Sequence, residues 1–164
     1  MRFPGTISIP VDVFERTLEA AAQSLRQHGF RDIVFLGDHG GYQEALQRAA
    51  RRLNASWTRS PVRAHAIEDY YRAADSGFAG ALRQRGYRDD EIGTHAALAD
   101  TSLTLAIAPD KVRIDALRDN VKFSPADGVY GGDPRRASAE LGKLGVDLIV
   151  AQTVAAIRRD VARR

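Results

Sequence analysis

The sequence predicts an α/β fold, and three local patterns support this prediction. Residues 33–36 form a continuous apolar run that ends in a glycine-rich turn at 37–41, and a helical pattern follows directly. An apolar run without alternation is typical of a strand buried on both faces, as in a parallel sheet. A second strand signal lies at residues 62–67, after Pro61. Because strands and helices alternate, we expect one layered domain over residues 1–164, with helices flanking a mostly parallel central sheet.

The first half of the chain contains the clearest helical patterns. Pro10 suits the first turn of a helix over about residues 11–28, and Gly29 suits its end. The apolar residues of this helix recur at three- and four-residue spacing and form one stripe: Phe14, Leu18, Ala21 and Leu25. A second helix is predicted over about residues 42–54. It completes a strand–turn–helix unit around the glycine-rich turn.

The second half is predicted to be helical with long loops. Helices are expected over about residues 76–85 and 134–163, and Gly142 or Gly145 can interrupt the last of these. A short helix begins at Asp100 or Thr101, whose side-chain oxygens can cap it, and ends before Pro109. The stretches 86–95 and 110–133 are interpreted as loops. Neither contains a strong periodic signal.

Length and composition match an ordinary globular chain. The 164 residues correspond to about one domain. The chain is 44% hydrophobic and 27% charged, which argues against a disordered or coiled-coil protein. The sequence contains no cysteine, and this excludes disulfides, thiolate zinc sites and cysteine nucleophiles. It also lacks an apolar stretch near 18 residues, so no transmembrane segment is predicted.

The charge pattern indicates a solvated surface. The net charge is +3, and the arginines are interleaved with aspartate and glutamate. No basic stripe, aromatic RNA-binding signature or helix-turn-helix pattern is present, so no nucleic-acid partner is expected. The first residues lack the basic and apolar regions of a signal peptide. We therefore predict a cytoplasmic protein, and export of a longer form stays open.

The strongest chemical signal is the Gly-Asp-His-Gly-Gly turn at residues 37–41. Ligands of open α/β sheets bind at the carboxyl ends of strands, where this turn is predicted to lie. Gly40 and Gly41 let the backbone approach a ligand, and His39 can ligate a metal or shuttle protons. A turn that merely contains a hydrogen-bonded histidine is the equally simple alternative.

A second signal combines His95 with Asp100, Thr101 and Ser102. The sequence alone explains Asp100 as a helix N-cap, or as a carboxylate that binds a divalent cation. Histidine and carboxylate suit zinc or manganese, but two ligands are too few for a tight site. His65, Glu68 and Asp69, near the end of the second predicted strand, are further donors if they are not ordinary strand and surface residues.

The two signals, in this order, resemble the creatininase family of metal-dependent amidohydrolases. That family has an Asn-Gly-His-Gly-Gly-Asn-like strand end and later a His-Ala-Gly segment, followed by an acidic residue and Thr-Ser. The corresponding segments here are GDHGGY at 37–42 and HAALADTS at 95–102. The segments PGTISI, LAIAPDKVR and GDPRRASAELG also look like the family. The resemblance covers nearly the whole chain.

The resemblance implies a fold, a reaction and a set of roles. The family hydrolyses a non-peptide or cyclic C–N amide bond with water that two divalent metals, zinc or manganese, hold and activate. His39 and Asp100 fall on metal-ligand positions, and His95 falls on the position that transfers a proton or orients the substrate. The family's assemblies imply a homo-oligomer, and its substrates are small-molecule amides.

Weaker roles fall on neighbouring residues. Asp38 is a candidate hydrogen-bond partner of the metal-bound histidine, because such a histidine normally uses its other nitrogen in this way. Gly40 and Gly41 would border the ligand. Tyr71, together with Tyr70, lies where the family has aromatic residues near the substrate.

The sequence also departs from the family pattern. It begins after the Glu-x-His-Gly segment that supplies further metal ligands, so we expect an N-terminally truncated form. Gly37 and Tyr42 replace the flanking asparagines, and Ala97 replaces the glycine of His-Ala-Gly. The alternative function is therefore a catalytically impaired fragment, or a non-catalytic oligomeric subunit with the same fold.

Overall fold

The computed structural model describes residues 7–119 and 122–163, which excludes the Pro-Gly-Thr part of the PGTISI segment. Within these ranges the chain forms eight α-helices and four short strands. In chain order they are α1 (Val11–Gln27), β1 (Asp32–Phe35), α2 (Gln43–Ser56), β2 (Arg63–Ala66), α3 (Glu68–Arg72), α4 (Phe78–Arg83), α5 (Asp89–Ile92), β3 (Gly93–His95), α6 (Leu98–Ile107), α7 (Ile114–Asp119), β4 (Tyr130–Gly132) and α8 (Ala139–Val161). The chain divides into two compact units, one comprising Met1–Arg72 with Gln152–Arg164 and the other Ala73–Ala151.

The first unit contains the strand–turn–helix arrangement that the sequence predicts. β1 and β2 pair in parallel, with Asp32 opposite Arg63 and Phe35 opposite Ala66. The buried core lies between these strands and the helices α1 and α2, and it includes Ile33, Phe35, Leu46, Leu53 and Trp57. The α/β class is confirmed, although the parallel sheet has only two strands in the described part of the chain.

Side chains of α2 cap the outer edge of β2. On this edge, the Asn54 side chain donates to the Ala64 carbonyl (2.8 Å) and accepts from the Ala64 N–H (2.9 Å). Gln47 donates to the Ala66 carbonyl (3.1 Å) on the same edge. Side chains of α2 thus occupy the hydrogen-bonding positions that a further strand would use.

The second unit is mostly helical. Its core packs α4, α5 and α6 against the first half of α8 through the buried residues Phe78, Leu82, Ile92 and Leu98. β3 and β4 form an antiparallel pair in which His95 lies opposite Tyr130. Glu91, a buried residue of α5, connects this helix to the turn after β4. Its carboxylate accepts a hydrogen bond from Arg136 at 2.6 Å. Among the described residues, none of the helices has the length and apolar character needed to cross a membrane.

Several sequence-based boundaries were wrong. The predicted loop at 86–95 contains α5 and β3, and the predicted loop at 110–133 contains α7 and β4. The last helix begins at Ala139 rather than Pro134, and neither Gly142 nor Gly145 interrupts it. The short helix α6 begins at Leu98, with Ala97 in the N-cap position, so neither Asp100 nor Thr101 is its N-cap. A single domain over residues 1–164 stays a prediction.

Buried Glu15 connects the two long helices of the first unit. Its carboxylate accepts from Arg52 (2.6 Å) and Arg48 (2.8 Å), both on α2, while Glu15 itself lies on α1 and is 6% exposed. These hydrogen bonds, that from Arg52 above all, lower the pKa of Glu15 below its ordinary value. A carboxylate with a lowered pKa stabilises the fold above its ordinary pKa, and the effect is lost as the pH falls through the folded value.

Glu15→Gln is therefore expected to lower the thermal unfolding midpoint by several degrees at neutral pH. The difference from the unsubstituted protein should shrink as the pH falls below 4.5, the ordinary pKa of the group. Thermal unfolding followed by circular dichroism across this pH range checks the prediction. Asp12→Asn is the matched control, because Asp12 pairs with Arg16 on the exposed face of the same helix and should change the midpoint little. A pH-independent difference for Glu15→Gln would contradict the ionic explanation.

Candidate active site

The Gly37–Gly41 turn lies directly after β1, as the sequence predicts. His39 is exposed and extended, and it caps a single 3-10 turn over Gly40–Tyr42. Its Nδ1 accepts a hydrogen bond from the Gly41 N–H at 2.9 Å. The neutral ring therefore carries its proton on Nε2 in this arrangement. Metal ligation through Nε2 requires the other tautomer, and ligation through Nδ1 requires the lone pair that accepts from Gly41, so either mode would break the bond to Gly41.

Three tyrosines surround this turn. The Tyr42 hydroxyl accepts from the Asp38 N–H at 3.0 Å, and its ring centroid is 5.5 Å from that of His39. Burial, together with the nearby charge of the Asp38 carboxylate, raises the pKa of Tyr70. The Tyr71 hydroxyl approaches Gly40 so closely that a Cβ there would lie 2.7 Å from it. Tyr71 and Asp38 thus both lie beside the turn that contains His39.

Gln43, which sequence reasoning missed, binds the backbone of this turn through its side-chain amide. Its amide nitrogen donates to the Gly37 carbonyl (2.8 Å) and to the His39 carbonyl (3.1 Å). Gly41 has its own steric requirement, since a Cβ there would lie 2.9 Å from the His39 Cε1. The identity of residue 43 gave no signal in the sequence, because a glutamine at the start of a helix is ordinary. Its contacts depend on how the turn folds back on α2.

In the second unit, His95 ends β3 and Asp100 lies in the first turn of α6, on either side of one short loop. The His95 ring meets that of Tyr130 edge-on with centroids 5.9 Å apart. Ala96 follows with a φ of 48°, in the left-handed region that costs a residue with a side chain about 1–3 kcal/mol. Asp100 Oδ2 accepts from the Ala96 N–H at 3.0 Å. Its carboxylate binds the loop from the third position of α6.

A cleft of about 300 Å³ adjoins this loop. Both Asp100 and Ala96 line it, and apolar side chains provide part of the wall. The other lining residues are Thr101, Thr104, Lys111, Val112, Arg113, Ala116, Leu117, Phe123, Asp127, Val129 and Pro134. The cleft is large enough for a small organic molecule, and it places a carboxylate at its wall.

The other candidate donors are engaged elsewhere. His65 Nε2 lies 3.0 Å from Asp32 Oδ1, and burial lowers the pKa of His65. Glu68 pairs with Arg72 at 3.0 Å, and Asp69 pairs with Arg159 at 3.2 Å. These contacts favour the structural explanation for all three residues.

The donor chemistry can be compared with what a metal needs. Imidazole nitrogens and carboxylate oxygens suit zinc and manganese, and zinc normally takes four ligands. Among the side chains that the structure describes, no three of His, Cys, Asp or Glu form a group able to hold a metal ion. The described residues therefore do not complete a metal site, although His39 and Asp100 are donors of the right type.

Comparisons with known proteins agree with this fold. The family model described as creatinine amidohydrolase matches residues 1–157. A creatinine amidohydrolase from Pseudomonas putida is 27% identical over 178 residues, which is 96% of this chain and 66% of that protein. A solved creatininase with manganese has a TM-score of 0.71 at 21% identity and covers 98% of this chain and 68% of its own. A solved mutant of Zn-Zn type has a TM-score of 0.66 at 22% identity and covers the same shares.

The fold is thus that of the creatininase-type α/β proteins. The extent of the family match goes further than the fold. This chain belongs to the creatininase family, and it spans slightly less than two thirds of the length of the curated relative that it matches.

Proposed function

We propose that this chain acts in the metal-dependent hydrolysis of a C–N amide bond, non-peptide or cyclic, in a small molecule. The observation that carries the proposal is the family match over residues 1–157. The roles of His39, His95 and Asp100 rest on the resemblance of the segments at 37–42 and 95–102 to the family's motifs. The curated relative is named creatinine amidohydrolase. Creatinine is therefore the first substrate to test.

In this proposal each residue has a distinct task. His39 and Asp100 contribute nitrogen and oxygen donors to zinc or manganese. In hydrolases of this kind the ion makes water more acidic and polarises the carbonyl that is attacked. His95, on an exposed loop, takes up or delivers a proton at its imidazole nitrogen, or orients the amide. Asp38, Gly40, Gly41 and Tyr71 form the border of the site around His39.

A second candidate function has its own support. The described residues contain too few donors for a closed metal site, and His39 Nδ1 is already hydrogen-bonded to Gly41. A non-catalytic subunit or catalytically impaired form with this fold fits that shortage. Self-association, a cytoplasmic location and the lack of a nucleic-acid partner stay predictions under either candidate.

Metal content separates the two candidates. The purified chain is incubated with zinc or manganese, freed of excess ion and measured by plasma mass spectrometry. The first candidate predicts about one or two ions per chain, lost in His39→Ala and retained in His28→Ala. His28, at the end of α1, is the matched exposed histidine. Creatinine ring opening is then assayed on the loaded protein.

The outcomes are distinct. Bound metal that depends on His39, together with hydrolysis of creatinine or another small amide, supports the enzyme. Absence of bound metal after incubation favours the non-catalytic candidate. Metal that remains in His39→Ala would contradict the role of His39, whichever candidate is correct.

A further inference from the structure

Two side chains of α6 hold one residue of the loop that precedes it. Ala96 is the one non-glycine residue with a positive φ in the described part of the chain. Its N–H donates to Asp100 Oδ2 at 3.0 Å, and its carbonyl accepts from Thr101 Oγ1 at 3.1 Å. Both backbone polar groups of Ala96 are thus bound by neighbouring positions of one helix. Because a residue with a Cβ avoids the left-handed region, these contacts are what keep Ala96 there.

The conformation of Ala96 determines where His95 lies. The Ala96 N–H belongs to the peptide group that joins the two residues, so the bond to Asp100 fixes the plane of that peptide. On its other side, His95 pairs with Tyr130 of β4, and the Thr94 hydroxyl donates to the Tyr130 carbonyl at 3.1 Å. His95 is therefore held from the sheet on one side and from α6 on the other.

We propose that Thr101 and Asp100 are positioning residues for His95, and that they act by locking Ala96 in the left-handed conformation. The catalytic consequence rests on the proposed proton-transfer role of His95. The structural part does not, because it needs neither a metal nor a substrate. For Asp100 this is a role through Oδ2 that differs from metal ligation. For Thr101 it is a role that neither the sequence motif nor the proposed function assigns.

The burial of the two residues fits this assignment. Thr101 is buried and Asp100 is exposed, and both residues line the cleft. Thr104, one turn further along the same helix, instead donates to the Asp100 carbonyl at 2.9 Å and makes no bond to Ala96. Thr104 therefore supplies a matched control for the loss of a threonine hydroxyl.

The test follows the imidazole signals of the four histidines by ¹H–¹³C NMR on the metal-free chain. The His95 signal is assigned by its absence in His95→Gln. Thr101→Val and Asp100→Ala, which remove the donor and the acceptor, are expected to shift or broaden the His95 signal alone. Thr101→Ser keeps a hydroxyl and Asp100→Asn keeps an acceptor oxygen, so in both variants the His95 signal should lie close to that of the unsubstituted chain. Thr104→Val should leave it unchanged.

A second variant guards against simple loss of folding. Glycine adopts a positive φ without penalty, so Ala96→Gly makes the contacts to α6 less necessary. In that background Thr101→Val is expected to change the His95 signal less than it does alone. A general loss of folding would instead also shift the signal of His65, whose side chain is largely buried, in both backgrounds.

The results separate this inference from the proposed function. An unchanged His95 signal in Thr101→Val and Asp100→Ala overturns the inference, as does equal damage by Asp100→Asn and Asp100→Ala. If the signal moves as expected but no amide is hydrolysed, the positioning role stands and the enzyme proposal fails. Where hydrolysis is measurable, kcat of Thr101→Val should fall by roughly tenfold or more with little change in KM, because His95 is misplaced rather than removed.

Discussion

Replacing Gly142 with alanine is expected to lower the free energy of unfolding by about 3 kcal/mol, near the upper end of the usual cost of overpacking. Gly142 lies in α8 where this helix crosses α6, and a Cβ there would be 1.8 Å from the Ser102 carbonyl oxygen. That oxygen belongs to the backbone, so it cannot rotate away as a side chain would. Ser102 is completely buried, which leaves α6 little room to move.

Gly80→Ala is the matched control and should have the opposite sign. Gly80 also lies within a helix of the second unit, but a Cβ there would meet no atom within 4 Å. Alanine is the better helix former by about 1 kcal/mol, so this variant should be slightly more stable. Urea unfolding followed by far-UV circular dichroism measures both variants. Equal changes in the free energy of unfolding for the two variants would contradict the explanation of Gly142 by close packing of α8 on α6.

If the chain hydrolyses amides as proposed, replacing His95 with alanine is expected to reduce the rate by about 10²- to 10⁴-fold, the usual contribution of a proton-transfer group. His95 lies on an exposed loop beside the cleft that Asp100 and Ala96 line, and its ring contacts Tyr130. The measurement is the initial rate of creatinine ring opening by the metal-loaded chain, with circular dichroism as a check on folding.

His28→Ala provides the comparison for His95. It removes an exposed imidazole at the end of α1, and the rate of hydrolysis should stay the same. Activity of His95→Ala equal to that of His28→Ala would exclude His95 as the proton-transfer group. In that case the loop before α6 would serve the architecture of the second unit alone.

The elements with a strong local period were predictable. The apolar stripe of α1 gave a helix over about residues 11–28, and the structure has Val11–Gln27. The apolar run before the glycine-rich turn gave a strand, and the structure has Asp32–Phe35. The burial within these elements followed less closely: in α1 the buried residues are Glu15 and Ala22, whereas Leu25 of the predicted stripe is exposed, and β1 alternates between partly and fully buried positions. β3 and β4 have three residues each and pair across a separation of about 35 positions, which leaves no periodic signal in either segment.

The errors around α6 and α8 have a common origin in tertiary packing. An aspartate near the start of a helix is ordinarily its N-cap. Here Asp100 lies inside the first turn of α6, and its carboxylate accepts from the N–H of Ala96, which has a positive φ and precedes the helix. A glycine pair in a helix ordinarily weakens it, but Gly142 permits α8 to approach Ser102 closely. Neither the conformation of residue 96 nor the crossing of the two helices can be derived from local propensity.

In the predicted site, too, the features with a local sequence pattern were predictable and those that depend on how the chain folds were not. The strand–turn–helix pattern correctly located the His39 turn at the end of β1, and the motif order singled out His95 and Asp100. The residues that hold these loops were not foreseen, namely Gln43 behind the His39 turn and Thr101 behind the His95 loop. Their hydrogen bonds join side chains to backbone carbonyls, and such bonds impose no recognisable spacing on a sequence.

The capped edge of β2 limits where the small sheet of the first unit can grow. Asn54 and Gln47 saturate that margin with amide groups, so it offers no template on which a further strand can nucleate. Any enlargement of the sheet must then proceed from β1 outward, and each added strand would extend the layer on that side only. The sheet thus has one terminated margin, and this termination comes from two side chains of α2.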